Sequence, residues 1–93
     1  MGKGTVESLQ LMLEKGNKKA FTDFYTQYFK RLLIESDKYV KDIYVAEEVV
    51  QDVFLKIWQT RENLYEIRSF KAYLLVISKN HALNAIKKIA REF

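Results

Sequence analysis

Residues 42–58 read DIYVAEEVVQDVFLKIW, and their apolar side chains come as adjacent pairs four apart: Val45-Ala46, Val49-Val50, Val53-Phe54 and Ile57-Trp58. That spacing follows the turn of an α-helix and makes a wide apolar stripe that has to face a core. Trp58 belongs to the stripe and reads as a core anchor. Asp42 heads the run, where its carboxylate can accept from the free amides of the first turn, so a helix is predicted from Asp42 to about Arg61. The opposite face carries Glu48, Gln51, Asp52, Leu55 and Gln59, three and four apart and therefore neighbours along one surface. Leu55 is out of place there. Flanked by two carboxylates and two amides, it reads either as the centre of a docking patch with a polar rim or as part of an ordinary solvated face.

Helical spacing continues on both sides of this stretch. Upstream, Asn17 is a cap for a long helix along which Phe21, Phe24, Tyr25, Tyr28, Leu32 and Tyr39 form an apolar stripe, with Lys18, Lys19, Asp23, Lys30 and Glu35 on the other side. Before it, Thr5 can cap a short helix over residues 6–15 that Gly16-Asn17 stops. Downstream, residues 61–69 (RENLYEIRS) break the pattern and are predicted as the one sizeable loop. Ser69 then caps a fourth helix that is still running at Phe93. There is no proline, and the three glycines all lie at or before Gly16, so nothing later marks hairpin turns. The expected fold is all-α, a compact bundle of three to four helices forming a single domain over residues 1–93. The absence of a C-terminal cap suggests a sequence cut from a longer protein.

Composition narrows the function. A chain of 93 residues with 48% apolar content buries one modest core. With no cysteine there is no disulfide, thiol chemistry or zinc finger, and His81 is the single histidine, so a metal site or a histidine-based catalytic pair has little to be built from. We expect no catalytic residues, no cofactor and no enzymatic activity, and assign His81 no role. No apolar run approaches the ~20 residues needed to span a bilayer, and no signal core follows Met1-Gly2-Lys3-Gly4. A cytoplasmic protein without membrane insertion is expected.

Charge is lopsided. From residue 67 onward Arg68, Lys71, Lys79, Lys87, Lys88 and Arg91 stand against Glu92 alone, a net of +5, whereas the first 66 residues sum to −1 from ten basic and eleven acidic side chains. A neutral body with one basic segment suits phosphate binding, and equally a solvated lysine-rich helix end. On a helical wheel, Ala72, Leu75, Val76, Leu83, Ile86, Ala90 and Phe93 are expected to face the core, with the stem of Lys79 along its edge. A neighbouring face gathers Tyr73, Ile77, Asn80, Asn84, Lys87 and Arg91, with Lys88 at its rim. Cations neutralise phosphates, carboxamides pair with base edges and rings stack on exposed bases. The 61–69 loop borders this face, with Tyr65, Phe70 and Tyr73 around a place where a flipped base could be held, which favours single strands.

Three blocks, in order and at natural spacing, resemble the second conserved region of the extracytoplasmic-function group of bacterial sigma factors: KKAFTDFYTQYF, then AEEVVQDVFLKIW, then SFKAYLLVISKNHALNAIKK. The resemblance runs from about Asn17 to Arg91. It implies that the third helix, through Glu48, Gln51, Asp52 and Leu55, docks on a coiled coil of the largest-subunit pair of core RNA polymerase. It implies further that the fourth helix and the loop before it recognise the promoter minus-ten element and hold its non-template strand melted. Asn80 would then meet a captured base, with Tyr73, Asn84, Lys87, Lys88 and Arg91 along the strand. Ser78-Lys79-Asn80 stands where the family often has Ala-Arg-Asn, and the loop varies between members, so base preference does not carry over. The family's second domain, a helix-turn-helix that reads the minus-thirty-five element, is missing from this chain, which alone should not initiate transcription efficiently. Two alternatives stay open: a small helical interaction module, whose acidic partner could be an anti-sigma factor, and a helix-turn-helix regulator, for which no short turn links two suitable helices near the basic segment.

Overall fold

The computed structural model describes residues 6–92, and side chains from residue 9 onward. Four α-helices follow one another: α1 (Val6–Glu14), α2 (Lys18–Val40), α3 (Ile43–Gln59) and α4 (Phe70–Glu92), with a 3₁₀ helix (Arg61–Glu66) between the last two. There is no strand among the described residues, and no helix there is long and apolar enough to cross a membrane.

Local chemistry sets the boundaries. α1 ends in a Schellman arrangement, Asn17 N donating to Met12 O and Gly16 N to Leu13 O, with Gly16 at φ 79°, a region that a side chain disfavours. Asn17 then caps α2 by accepting from Ala20 N at 2.9 Å. Asp42 caps α3, accepting from Tyr44 N and Val45 N. Ser69 Oγ accepts from Ala72 N at the head of α4. The Thr5 cap lies outside the described residues.

Ring contacts give the helix directions. Phe21, near the start of α2, lies 5.0 Å from Trp58 at the end of α3, so the two run antiparallel, while Phe24 lies 5.6 Å from Phe70, so α4 runs alongside α2 from the same end. The core follows from this: Phe24, Tyr28 and Leu32 of α2, Val49, Val50, Val53, Phe54 and Ile57 of α3, and Leu9 and Leu13 of α1. The α3 stripe is buried as its spacing predicts, with Val45 and Trp58 half-buried at its edges. Tyr25, expected in the core, lies at its rim and is partly exposed, its ring 4.6 Å from that of Phe54.

Two expectations are corrected. Residues 61–69 are not a plain loop, because Arg61–Glu66 wind into 3₁₀ turns that bury Leu64. The core face of α4 is rotated from the predicted one: Phe70, Leu74, Ile77, Ser78 and Ala82 are buried, whereas Ala72, Val76 and Ala90 are exposed and Leu83 and Ile86 half-buried. Leu75 packs against the core from one side, and Phe93 lies outside the described residues. The physical reason is close approach. The small Ser78 and Ala82 let the neighbouring helices near, and Phe70 drops into the ring cluster, so these decide the face rather than the count of aliphatic side chains. Lys79 consequently points outward, away from the core edge.

Candidate functional site

Successive residues of a helix turn by about 100°, so Tyr73, Asn80, Asn84, Lys87 and Arg91 fall within about 60° of arc on one flank of α4. Rotating the core face leaves this flank intact, since the relative positions depend only on spacing. Ile77 leaves the set because it is 8% exposed and belongs to the core. Tyr73 is half-buried, and burial raises its phenol above the usual value of 10.0, so it stays a neutral donor at physiological pH. Asn80, Asn84, Lys87 and Arg91 are exposed. From Lys87 to Glu92 every residue of α4 is exposed, so the helix projects beyond the bundle and offers its cations to the side and the end.

At the other end of this flank stands the 3₁₀ helix. Tyr65 is 66% exposed there, a ring free to meet a partner, but Phe70 is buried against Phe24 and cannot stack on a base. Two of the three aromatic side chains expected around a flipped base therefore remain, Tyr65 and Tyr73. Arg61 takes an inward role: its guanidinium lies 4.2 Å from the centroid of the Trp58 ring and donates to Trp58 O at 2.7 Å.

The outer face of α3 carries Glu48, Gln51, Asp52, Leu55 and Gln59, all exposed, with Leu55 at 53%. Tyr44 is 79% exposed and stands one turn before Glu48 on the same stripe. It is not among the residues expected on this face, because it precedes the paired pattern. Its position four before Glu48 and seven before Gln51 is the signal that could have placed it.

Lys88 stands apart from the α4 flank. It lines a groove of about 240 Å³ with His81, Asn84 and Ala85 of α4 and with Val45, Glu48, Val49 and Asp52 of α3. The acidic stripe of α3 and the basic end of α4 are thus not on opposite sides of the molecule. They share a boundary. His81, expected at the surface, is half-buried there, with Nδ1 3.0 Å from Ile77 O.

Residues 24–92 match the family described as Sigma-70 region 2. The chain belongs to this family, and the domain is therefore part of a sigma factor, the kind of protein that binds RNA polymerase and directs it to promoters. The match covers α3, the 3₁₀ helix, α4 and most of α2. Comparison with curated proteins gave no match, and comparison with solved structures gave none either.

Proposed function

We propose that this domain docks on the coiled coil of the largest-subunit pair of core RNA polymerase through the outer face of α3, using Glu48, Gln51, Asp52 and Leu55. In this reading, α4 and the 3₁₀ segment recognise the promoter minus-ten element and hold its non-template strand melted. The observation that carries this reading is the alignment of Tyr73, Asn80, Asn84, Lys87 and Arg91 on one flank of α4, with Tyr65 exposed on the 3₁₀ helix that precedes it in the chain. Lys87 and Arg91 neutralise phosphates. Asn80 and Asn84 face base edges, and Lys88, at the groove, follows the strand where it passes towards α3. The domain acts by binding, without catalysis or cofactor, in the cytoplasm.

An anti-sigma factor is a second class of partner. The rotated face of α4 favours it, because Val76 is 55% exposed beside Ala72 and Lys79, an apolar strip edged by cations that suits an acidic amphipathic helix.

The test separates charge from base reading. Lys87→Ala and Arg91→Ala should weaken binding to single-stranded DNA of any sequence and flatten the salt dependence by ~0.7 in log–log slope for each phosphate no longer neutralised. Asn80→Ala should instead reduce discrimination at one position by ~1–3 kcal/mol. Equal weakening at every base and position would assign Asn80 a phosphate or structural role. For the polymerase face, Gln51→Ala, Leu55→Ala or charge reversal at Asp52 should each cost ~1–3 kcal/mol of binding to a coiled-coil fragment with helicity unchanged. Unaltered affinity in all three would end that assignment.

A further inference from the structure

Among the described residues, the side-chain hydrogen bonds join positions at most four apart, with one exception. Gln10, on α1, donates from Nε2 to Leu64 O at 2.6 Å and to Ile67 O at 3.0 Å, across more than fifty residues of chain. Both hydrogens of one carboxamide are used on two carbonyls. Leu64 O also accepts from Ile67 N at 3.0 Å, which closes the last 3₁₀ turn. Ile67 itself is extended, at φ −94° and ψ 118°. Gln10 therefore grips the chain where it passes from 3₁₀ to extended backbone, two residues before the Ser69 cap of α4.

We infer that Gln10 is a positioning residue for the segment that reads the DNA strand, acting from a helix that lies outside the 24–92 span of the family match. The inference rests on the reading above, in which this segment and α4 meet single-stranded DNA. Leu64 is buried and Tyr65 exposed, so the path of the backbone through these two residues decides where the Tyr65 ring stands. A swing of the 64–67 carbonyls would also move Arg68 and the first turn of α4, which carries Tyr73. Holding that path takes donors, because the groups to be held are carbonyl oxygens. Glutamate at this position would have nearly the same shape and only acceptors, setting a carboxylate against two carbonyls.

The experiment uses the 93-residue chain and labelled single-stranded DNA oligonucleotides that differ by one base at successive positions, with amide hydrogen exchange measured in parallel. Gln10→Glu and Gln10→Met should speed exchange at residues 67–70 and reduce the preference between the best and worst base, each by about 3- to 10-fold, the change expected for one or two hydrogen bonds. Exchange in the middle of α3 should not change. Gln10→Lys keeps a donor and should retain most of the preference, an outcome that a merely space-filling role does not produce. Affinities are compared at equal helicity, so that a partly unfolded Gln10→Glu does not decide the matter. If the wild-type chain has a base preference and both Gln10→Glu and Gln10→Met keep it in full, the DNA reading stands and the positioning role is overturned. If the wild-type chain has no preference, or Lys87→Ala binds as the wild type does, the DNA reading fails and takes this inference with it.

Discussion

Where α2 and α4 begin, the rings of Phe24, Phe54 and Phe70 are buried against one another, with centroids 4.9 Å and 5.6 Å apart, whereas the buried residues where α2 ends and α3 begins include Ser36 and Ala46. The first end is covered as well: α1 lies on the 3₁₀ helix, and Arg61 spans the ring of Trp58. The second end is open. α2 turns into α3 through Lys41, at φ 55°, and α3 parts from the end of α4 around the groove lined by Glu48, Asp52 and Lys88. Interlocked rings offer many dispersion contacts and few alternative packings, while small side chains let helices approach without locking them. The segment proposed to hold a strand in one shape is built on the locked end, and the projecting cations of α4 on the open one.

The largest test of this contrast is Phe24→Ala, which should cost ~3–5 kcal/mol of unfolding free energy in urea, since a buried ring is removed and the cavity collapses only in part. A cost near ~1 kcal/mol would mean that the ring end is not what holds the bundle. At the open end Asp42→Ala removes the cap of α3 and should cost ~1 kcal/mol, without altering the single-strand binding proposed for α4. The smallest effect is one of pH. The folded-state pKa of Tyr73 is raised by burial, so the folded form keeps the phenolic proton longer than the unfolded form, and stability falls as pH rises above the usual 10.0. Tyr73→Phe should remove that part of the alkaline destabilisation while leaving stability below pH ~9 nearly unchanged, as read from thermal melts across the range.

The phase of α3 is legible in its sequence because the apolar pairs recur every four residues and a carboxylate marks the start. α4 offers no such phase in its first two turns. Phe70, Ala72, Tyr73, Leu74, Leu75, Val76 and Ile77 surround the axis with apolar side chains, and the residue that settles the face, Ser78, is polar and fully buried, with an unpartnered hydroxyl. No hydropathy count selects a serine for the core. The flank holding Asn80, Asn84, Lys87 and Arg91 is still legible, since spacing alone places these residues together whichever way the helix faces. Residues 61–66 (RENLYE) lack any apolar period, so their 3₁₀ turns follow from tertiary contacts around Leu64 and from Gln10. The outward Tyr44 is legible from its spacing to Glu48 and Gln51, but Gln10 cannot be singled out from one helix read by itself. Its meaning lies in what another part of the chain does beside it.

Trp58 is the only tryptophan in the chain, and it sits half-buried at the covered end, with the Arg61 guanidinium over one face and the Phe21 ring 5.0 Å away. Its fluorescence is a built-in optical gauge of that end alone. Loosening of α1 or the 3₁₀ helix lifts the cation from the indole and admits water, which shifts the emission to longer wavelength. Events confined to the groove at the far end leave the colour of the emission unchanged.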